Sequence, residues 1–122
     1  MPIITVHGLP QGIQALHTFR ESLQRATANI PELRLTTDQV TVFFAADLLL
    51  PAQHMEVVTL VTGLLDRPER TPQVRQALAD ALLHETRVFL NAQYPPGSCR
   101  LIEALILPPF REEYGFARAT PK

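Results

Sequence analysis

Hydrophobic and polar residues along the chain alternate in two rhythms, and the same succession occurs twice. Residues 2–7 (PIITVH) are apolar and β-branched, the mark of a strand. Residues 9–12 contain Pro10 and predict a turn. Over residues 11–29 and just beyond, apolar side chains fall at Ile13, Leu16, Phe19, Leu23, Ala26 and Ile30. That spacing lines one face of a helix, which Pro31 ends. A polar link follows, and residues 40–46 (VTVFFAA) predict a second strand. The order then repeats. Residues 57–62 (VVTLVT) predict a strand and residues 63–70 a turn. Residues 71–91 predict a helix, with Thr71 as its cap and Pro72 at its first helical position. Its apolar stripe is Val74, Ala77, Leu78, Ala81, Leu82, Val88 and Phe89. Pro95-Pro96-Gly97 stops it, and residues 101–107 (LIEALIL) predict a fourth strand.

This pattern predicts one α/β domain over residues 1–122, of the two-layer α+β kind. It is built from repeats at 2–46 and 57–107, with a tail at 108–122. Strand–helix–strand units favour parallel crossovers. Two of them give a four-stranded mixed sheet with both helices on one face. The second strand, however, is apolar on both sides: Val40, Val42 and Phe44 point one way, Phe43 and Ala45 the other. A strand of that kind needs cover on both faces, and no third helix is available. Further copies of the chain, in a homotrimer, are the expected cover. The alternative is a short strand partly hidden by the tail.

Composition narrows the function. The chain has 122 residues, 46% hydrophobic and 19% charged, which is ordinary for a globular domain. The longest apolar run, around residues 40–51, is interrupted by Asp47 and is too short for a membrane span. The opening MPIITVHG lacks a secretory signal, so a cytoplasmic location is expected. A net charge of −1 gives no general attraction to nucleic acid. Cys99 is the single cysteine, so there is no internal disulfide. Of the 11 basic residues all but Lys122 are arginine, so no lysine stands mid-chain for Schiff-base chemistry or a phosphate loop. His7, His17, His54 and His84 form no pair with metal-ligand spacing, and neither metal nor organic cofactor is expected. Cys99 reads as an inert thiol. Phe43, Phe44, Phe110 and Phe116 read as core or interface.

Chemistry is suggested at the start of the chain. Processing commonly removes Met1 ahead of a small residue such as Pro2. The chain would then begin with a secondary amine at the first position of a strand, where proline has no ladder donor to lose. A free α-amine has a pKa near 7.7–8.0, and desolvation or nearby positive charge lowers it towards that of a general base at neutral pH.

PIITVHG opening a β-α-β unit that is then repeated resembles the tautomerase superfamily, which includes 4-oxalocrotonate tautomerase, malonate semialdehyde decarboxylase and cis-3-chloroacrylic acid dehalogenase. The resemblance runs from Pro2 to about Gly115. It implies that Pro2 is the catalytic acid or base and that the chain forms a trimer. The segment GLLDRPERT (63–71) resembles the turn in the dehalogenase and decarboxylase where two arginines grip the substrate carboxylate. This implies substrate binding by Arg67 and Arg70. Arginine holds a carboxylate through two parallel hydrogen bonds, and a helix start adds favourable donors. The alternative for this turn is a solvated loop in which Arg67 pairs with Asp66 or Glu69. Arg75 reads as a surface residue. Glu113-Tyr114-Gly115 resembles the dehalogenase tail, whose glutamate helps to activate water, and implies a role for Glu113 and possible participation of Tyr114. Asp38 falls where the decarboxylase has a functional aspartate, although aspartate is also an ordinary turn residue before a strand.

The sequence also departs from the family pattern. Gln11 or Gly12, and Thr41, occupy places held by arginine in the simple tautomerase. The dehalogenase's first-helix histidine has no counterpart near Ala28, and its fourth-strand tyrosine is replaced near Glu103. The reading is therefore a tautomerase-like enzyme acting on a small 2-oxo or unsaturated carboxylic acid, without membrane or nucleic-acid partners. Its rivals are a hydratase, decarboxylase or dehalogenase reaction on a 3-carbon acid at the same site, and a non-catalytic trimeric protein of the same fold.

Overall fold

The structure, a computed structural model, describes residues 2–47, 55–109, 111, 115 and 117–119. Four strands and two long helices follow in the predicted order: β1 (Ile3–Pro10), α1 (Leu16–Ala28), β2 (Thr41–Asp47), β3 (Met55–Thr62), α2 (Pro72–Gln93) and β4 (Cys99–Ile106). Two single-turn 3-10 helices, Pro31–Leu33 and Thr37–Gln39, occupy the link before β2. The sheet order is β2-β1-β3-β4. Each repeat contributes a parallel pair, and β1 meets β3 antiparallel at the centre. The sheet is thus mixed, with the helices packed on one face and against each other.

The first strand and helix differ from the sequence pattern at their junction. β1 runs on to Pro10 and α1 begins only at Leu16. Gly8 causes the extension. Its φ of 92° lets the strand bulge, shifting the β1–β2 register between His7 and Leu9. The bulge turns Leu9 into the core after outward-facing His7. Any side chain at Gly8 would collide with the backbone of Glu56, because a Cβ there would lie 1.9 Å from the Glu56 carbonyl oxygen. The helix is delayed because Gly12 and Ala15 both have positive φ, 78° and 62°, which no helical residue adopts. Both helices end against a proline-restricted residue. Ile30 is extended before Pro31, and Tyr94 is extended before Pro95.

The core lies between the sheet and the helices. Ile4, Val6, Val42, Val57 and Val61 meet Phe19, Leu23, Leu78, Leu82 and Leu90. Phe19 stacks on Phe89 across the helix pair, with ring centroids 4.2 Å apart and planes inclined at 4°. Each helix also buries a threonine that hydrophobic periodicity does not reveal. Thr27 donates to the Leu23 carbonyl at 2.9 Å and Thr86 to the Leu82 carbonyl at 2.7 Å, so neither hydroxyl is left unpaired. Conversely, Val88 and Ala77, read from the pattern as part of the stripe, face outward, Val88 with 51% exposure. Their places are at the margin of a stripe centred on Leu78, Leu82, Thr86 and Leu90.

The other face of the sheet has no layer over it among the described residues. Phe43 is 55% exposed and Leu105 47%, and Ile3, Leu101 and Leu107 are also exposed. Cross-strand registry joins Phe43, Thr5, Leu60 and Leu105 in one row. No described helix is long and apolar enough to cross a membrane.

Candidate active site

The sheet topology determines what surrounds Pro2. β1 pairs with β2 in parallel, Ile3 beside Thr41, so the link that leads into β2 arrives at the start of β1. β1 pairs with β3 antiparallel, Ile3 beside Thr62, so the turn that leaves β3 arrives there too. Pro2 is buried at this junction, and its carbonyl accepts a hydrogen bond from the Thr41 amide at 3.2 Å. A cavity of about 420 Å³ opens beside it. Pro2, Arg67 and Arg70 all line this cavity, so the structure brings Pro2 to two arginines of one turn in the second repeat.

Two further arginines line the same cavity: Arg34, from the link before β2, and Arg118, from the tail. Neither is marked by the sequence pattern. Arg34 lies in a link that reads only as polar, and Arg118 in a tail without periodicity. Glu69 is the one acidic residue among the described residues of the lining. Among the described lining residues arginine thus outnumbers carboxylate, a balance that favours an anion.

The turn 63–71 is anchored at both ends. Leu64 is buried, and Thr71 caps α2 by accepting a hydrogen bond from the Val74 amide at 3.3 Å. Pro72 occupies the first helical position. Arg70 ties this turn to the first repeat. Its Nη1 donates to the Leu65 carbonyl and its Nη2 to the Leu33 carbonyl, each at 2.9 Å. Its Nε is buried without a hydrogen-bond partner among the described residues. Burial first, and then the neighbouring charge of Arg67, push the pKa of Arg70 below its ordinary value, with Glu69 acting in the opposite direction. Arg67 is exposed and pairs with neither Asp66 nor Glu69. Asp66 instead binds Arg111 of the tail at 3.0 Å. Arg75 is half-buried and donates to the Arg70 carbonyl at 2.7 Å.

Asp38 takes part in a turn. It accepts a hydrogen bond from the hydroxyl of Thr36, the residue before the second 3-10 helix, and it is exposed. Glu113, Tyr114, His54, Phe110 and Phe116 lie outside the described residues. Cys99 is half-buried at the far end of the sheet, and burial raises its thiol pKa. No group of three or more His, Cys, Asp or Glu among the described residues could hold a metal ion.

No protein-family model matches this sequence, and no curated protein matches it. Solved structures do. A fused 4-OT, solved as an asymmetric trimer, is similar over 85% of this chain and 86% of its own, with 19% identity and a TM-score of 0.56. Pt0534, solved after inactivation by 2-oxo-3-pentynoate, is similar over 87% of this chain and 85% of its own, with 17% identity and a TM-score of 0.59. Macrophage migration inhibitory factor of Toxoplasma gondii is similar over 96% of this chain and 97% of its own, with 10% identity and a TM-score of 0.63. The chain has the fold of the tautomerase superfamily.

Proposed function

We propose that this chain is a tautomerase-type enzyme that uses Pro2, freed of Met1, as general acid and base on a small 2-oxo or unsaturated carboxylic acid. The observation that carries this reading is the single cavity lined by Pro2 and by arginines from both repeats and the tail. While Met1 is attached, the Pro2 nitrogen is an amide without basicity, so the reading requires its removal. The freed secondary amine takes a proton from the carbon next to the substrate carbonyl. The electron pair moves onto the carbonyl oxygen, and the protonated amine returns the proton to the conjugated carbon. Surrounding arginines favour the neutral amine beforehand and offset the negative charge that develops on the substrate. They also hold the carboxylate, the role expected of Arg67 and Arg70.

Phenylenolpyruvate tests the reaction, and its ketonisation is the expected outcome. The reagent that inactivates Pt0534 tests the site. 2-Oxo-3-pentynoate should add to the amine of Pro2 and leave one reagent mass on the N-terminal peptide. Absence of turnover, together with labelling confined to Cys99, would defeat the reading. Glu113→Gln separates tautomerisation from hydration: ketonisation should be unchanged, whereas attack of water on acetylenic or 3-halo acids should be lost if such an activity exists.

The assembly proposed with this site is a homotrimer, with the uncovered sheet face as its interface. Burial of that face stabilises association by roughly 25 cal/mol per Å² of apolar surface. Sedimentation equilibrium should give three chains per particle, and Phe43→Glu should dissociate it. A wild-type monomer at micromolar concentration would exclude this assembly.

A further inference from the structure

We propose that Arg34 and Arg67 are the pair that contacts the substrate carboxylate, and that Arg70 is a positioning residue that fixes the turn carrying Arg34. The inference rests on the reading of the Pro2 cavity as an anion site and refines it. The sequence resemblance assigns the clamp to Arg67 and Arg70, but the geometry divides the arginines differently.

A bidentate grip on a carboxylate needs two N–H groups of one guanidinium directed at the ligand. In Arg70 each terminal nitrogen gives one of its N–H groups to a backbone carbonyl, Nη1 to Leu65 and Nη2 to Leu33, which fixes the guanidinium against the turn and leaves three of its five donors. Its remaining nitrogen is buried. Arg34 and Arg67 differ on each count. Both side chains are exposed, both line the cavity, and neither has a hydrogen bond or ion pair among the described residues. Each therefore has a full set of donors for a ligand.

The backbone around Arg34 supports the assignment. Arg34 has φ 53° and ψ 47°, a left-handed conformation that glycine adopts freely and arginine does not. Three contacts hold this turn. The Leu33 side chain is fully buried, the Leu33 carbonyl accepts from Arg70, and the Arg34 amide donates to the Pro31 carbonyl at 3.1 Å. The charge of Arg34 is thus presented at the cavity from a fixed backbone, and Arg70 is one of the groups that fix it. Positioning of this kind lowers the entropy lost when the ligand is gripped.

The test uses the chain beginning at Pro2, labelled with nitrogen-15, and follows the arginine Nε–Hε signals by NMR. Sodium pyruvate, a minimal 2-oxo acid, is titrated against sodium chloride at equal ionic strength. The signals of Arg34 and Arg67 should shift and saturate, and that of Arg70 should stay close to its starting position. Arg34→Gln and Arg67→Gln should each weaken pyruvate binding, and raise KM for phenylenolpyruvate, by roughly tenfold or more, with kcat largely kept. Arg34→Lys should recover part of the loss. Arg70→Gln should move the backbone amide signals of Leu33 and Arg34 in the ligand-free protein and raise KM in the fraction that remains folded. A merely structural role would reduce the folded fraction and leave that KM unchanged.

A strong shift at Arg70, with binding indifferent to Arg34→Gln, overturns the proposal even if the enzyme is active. An absence of shifts at every arginine overturns it as well. Saturable shifts at Arg34 and Arg67 in a protein that ketonises nothing uphold the pair and reject the enzymatic reading.

Discussion

The two ends of the sheet are built from the same repeat and differ in what they offer a ligand. At one end, β1 and β2 start beside the end of β3, around the cavity of about 420 Å³ with Pro2 and four arginines. At the other, β3 and β4 start beside the bulged end of β1. A cavity of about 180 Å³ lies there, between the end of α2 and β4, lined by Arg87, Tyr94 and Cys99 among others. The link into β2 spans residues 29–40, whereas the link into β4 spans only 94–98. The long link has room for two 3-10 turns and for Arg34, while the short one is consumed by Pro95, Pro96 and Gly97 in leaving the helix. Backbone duplication thus gives two similar frames. Loop length and the position of Pro2 make the two ends different.

Substitutions at the two ends should therefore separate. The largest difference is expected in turnover. Pro2→Ala should reduce ketonisation by about 100- to 10,000-fold, the usual worth of a positioned acid–base group. Cys99→Ser at the far end should leave kcat and KM within error of the wild type. Equal rates in all three proteins would erase the functional distinction between the ends.

Gly8→Ala breaks the comparison from the structural side. Gly8 belongs to the far end, where a Cβ has no space beside the Glu56 carbonyl and where φ is 92°. The substitution should lower stability by about 1–3 kcal/mol, as overpacking does, read as a fall in the urea midpoint. In the protein that remains folded, KM for phenylenolpyruvate should not change, because the near end is built by the other strand ends. A normal urea midpoint would show that the bulge is not required.

The smallest effect concerns pH. Burial raises the pKa of Cys99, and burial followed by the charge of Cys99 raises that of Tyr94. Both groups are neutral in their protonated form, and the fold favours that form. Their contribution to stability is complete below the pKa values of the unfolded chain, about 8.5 and 10. It is lost as pH rises through and beyond them. The midpoint of urea unfolding should fall gently with alkaline pH, and Cys99→Ser should flatten the first part of that fall. An unchanged slope in the variant would place the titrating group elsewhere.

The sequence by itself determined the elements, their order and their repetition. Strand alternation at Val40–Phe44, the helical stripe through Leu78 and Leu82, and the stops at Pro31 and Pro95 are local signals, and local signals survive without a tertiary frame. The apolar side chain of Phe43, opposite in direction to Val42, even announced a second sheet face in need of cover. What only the tertiary structure decided depends on contacts between distant segments. The bulge at Gly8 answers to the Glu56 backbone. Thr27 and Thr86 are buried because their hydroxyls return to the preceding turn of the helix. Arg34 and Arg118 carry no motif, and they join Pro2 only because parallel and antiparallel registers bring a link, a turn and a tail to one strand end. The resemblance of its turn implies substrate binding by Arg70. Its hydrogen-bond partner Leu33, thirty-seven residues away, could be known only from the fold.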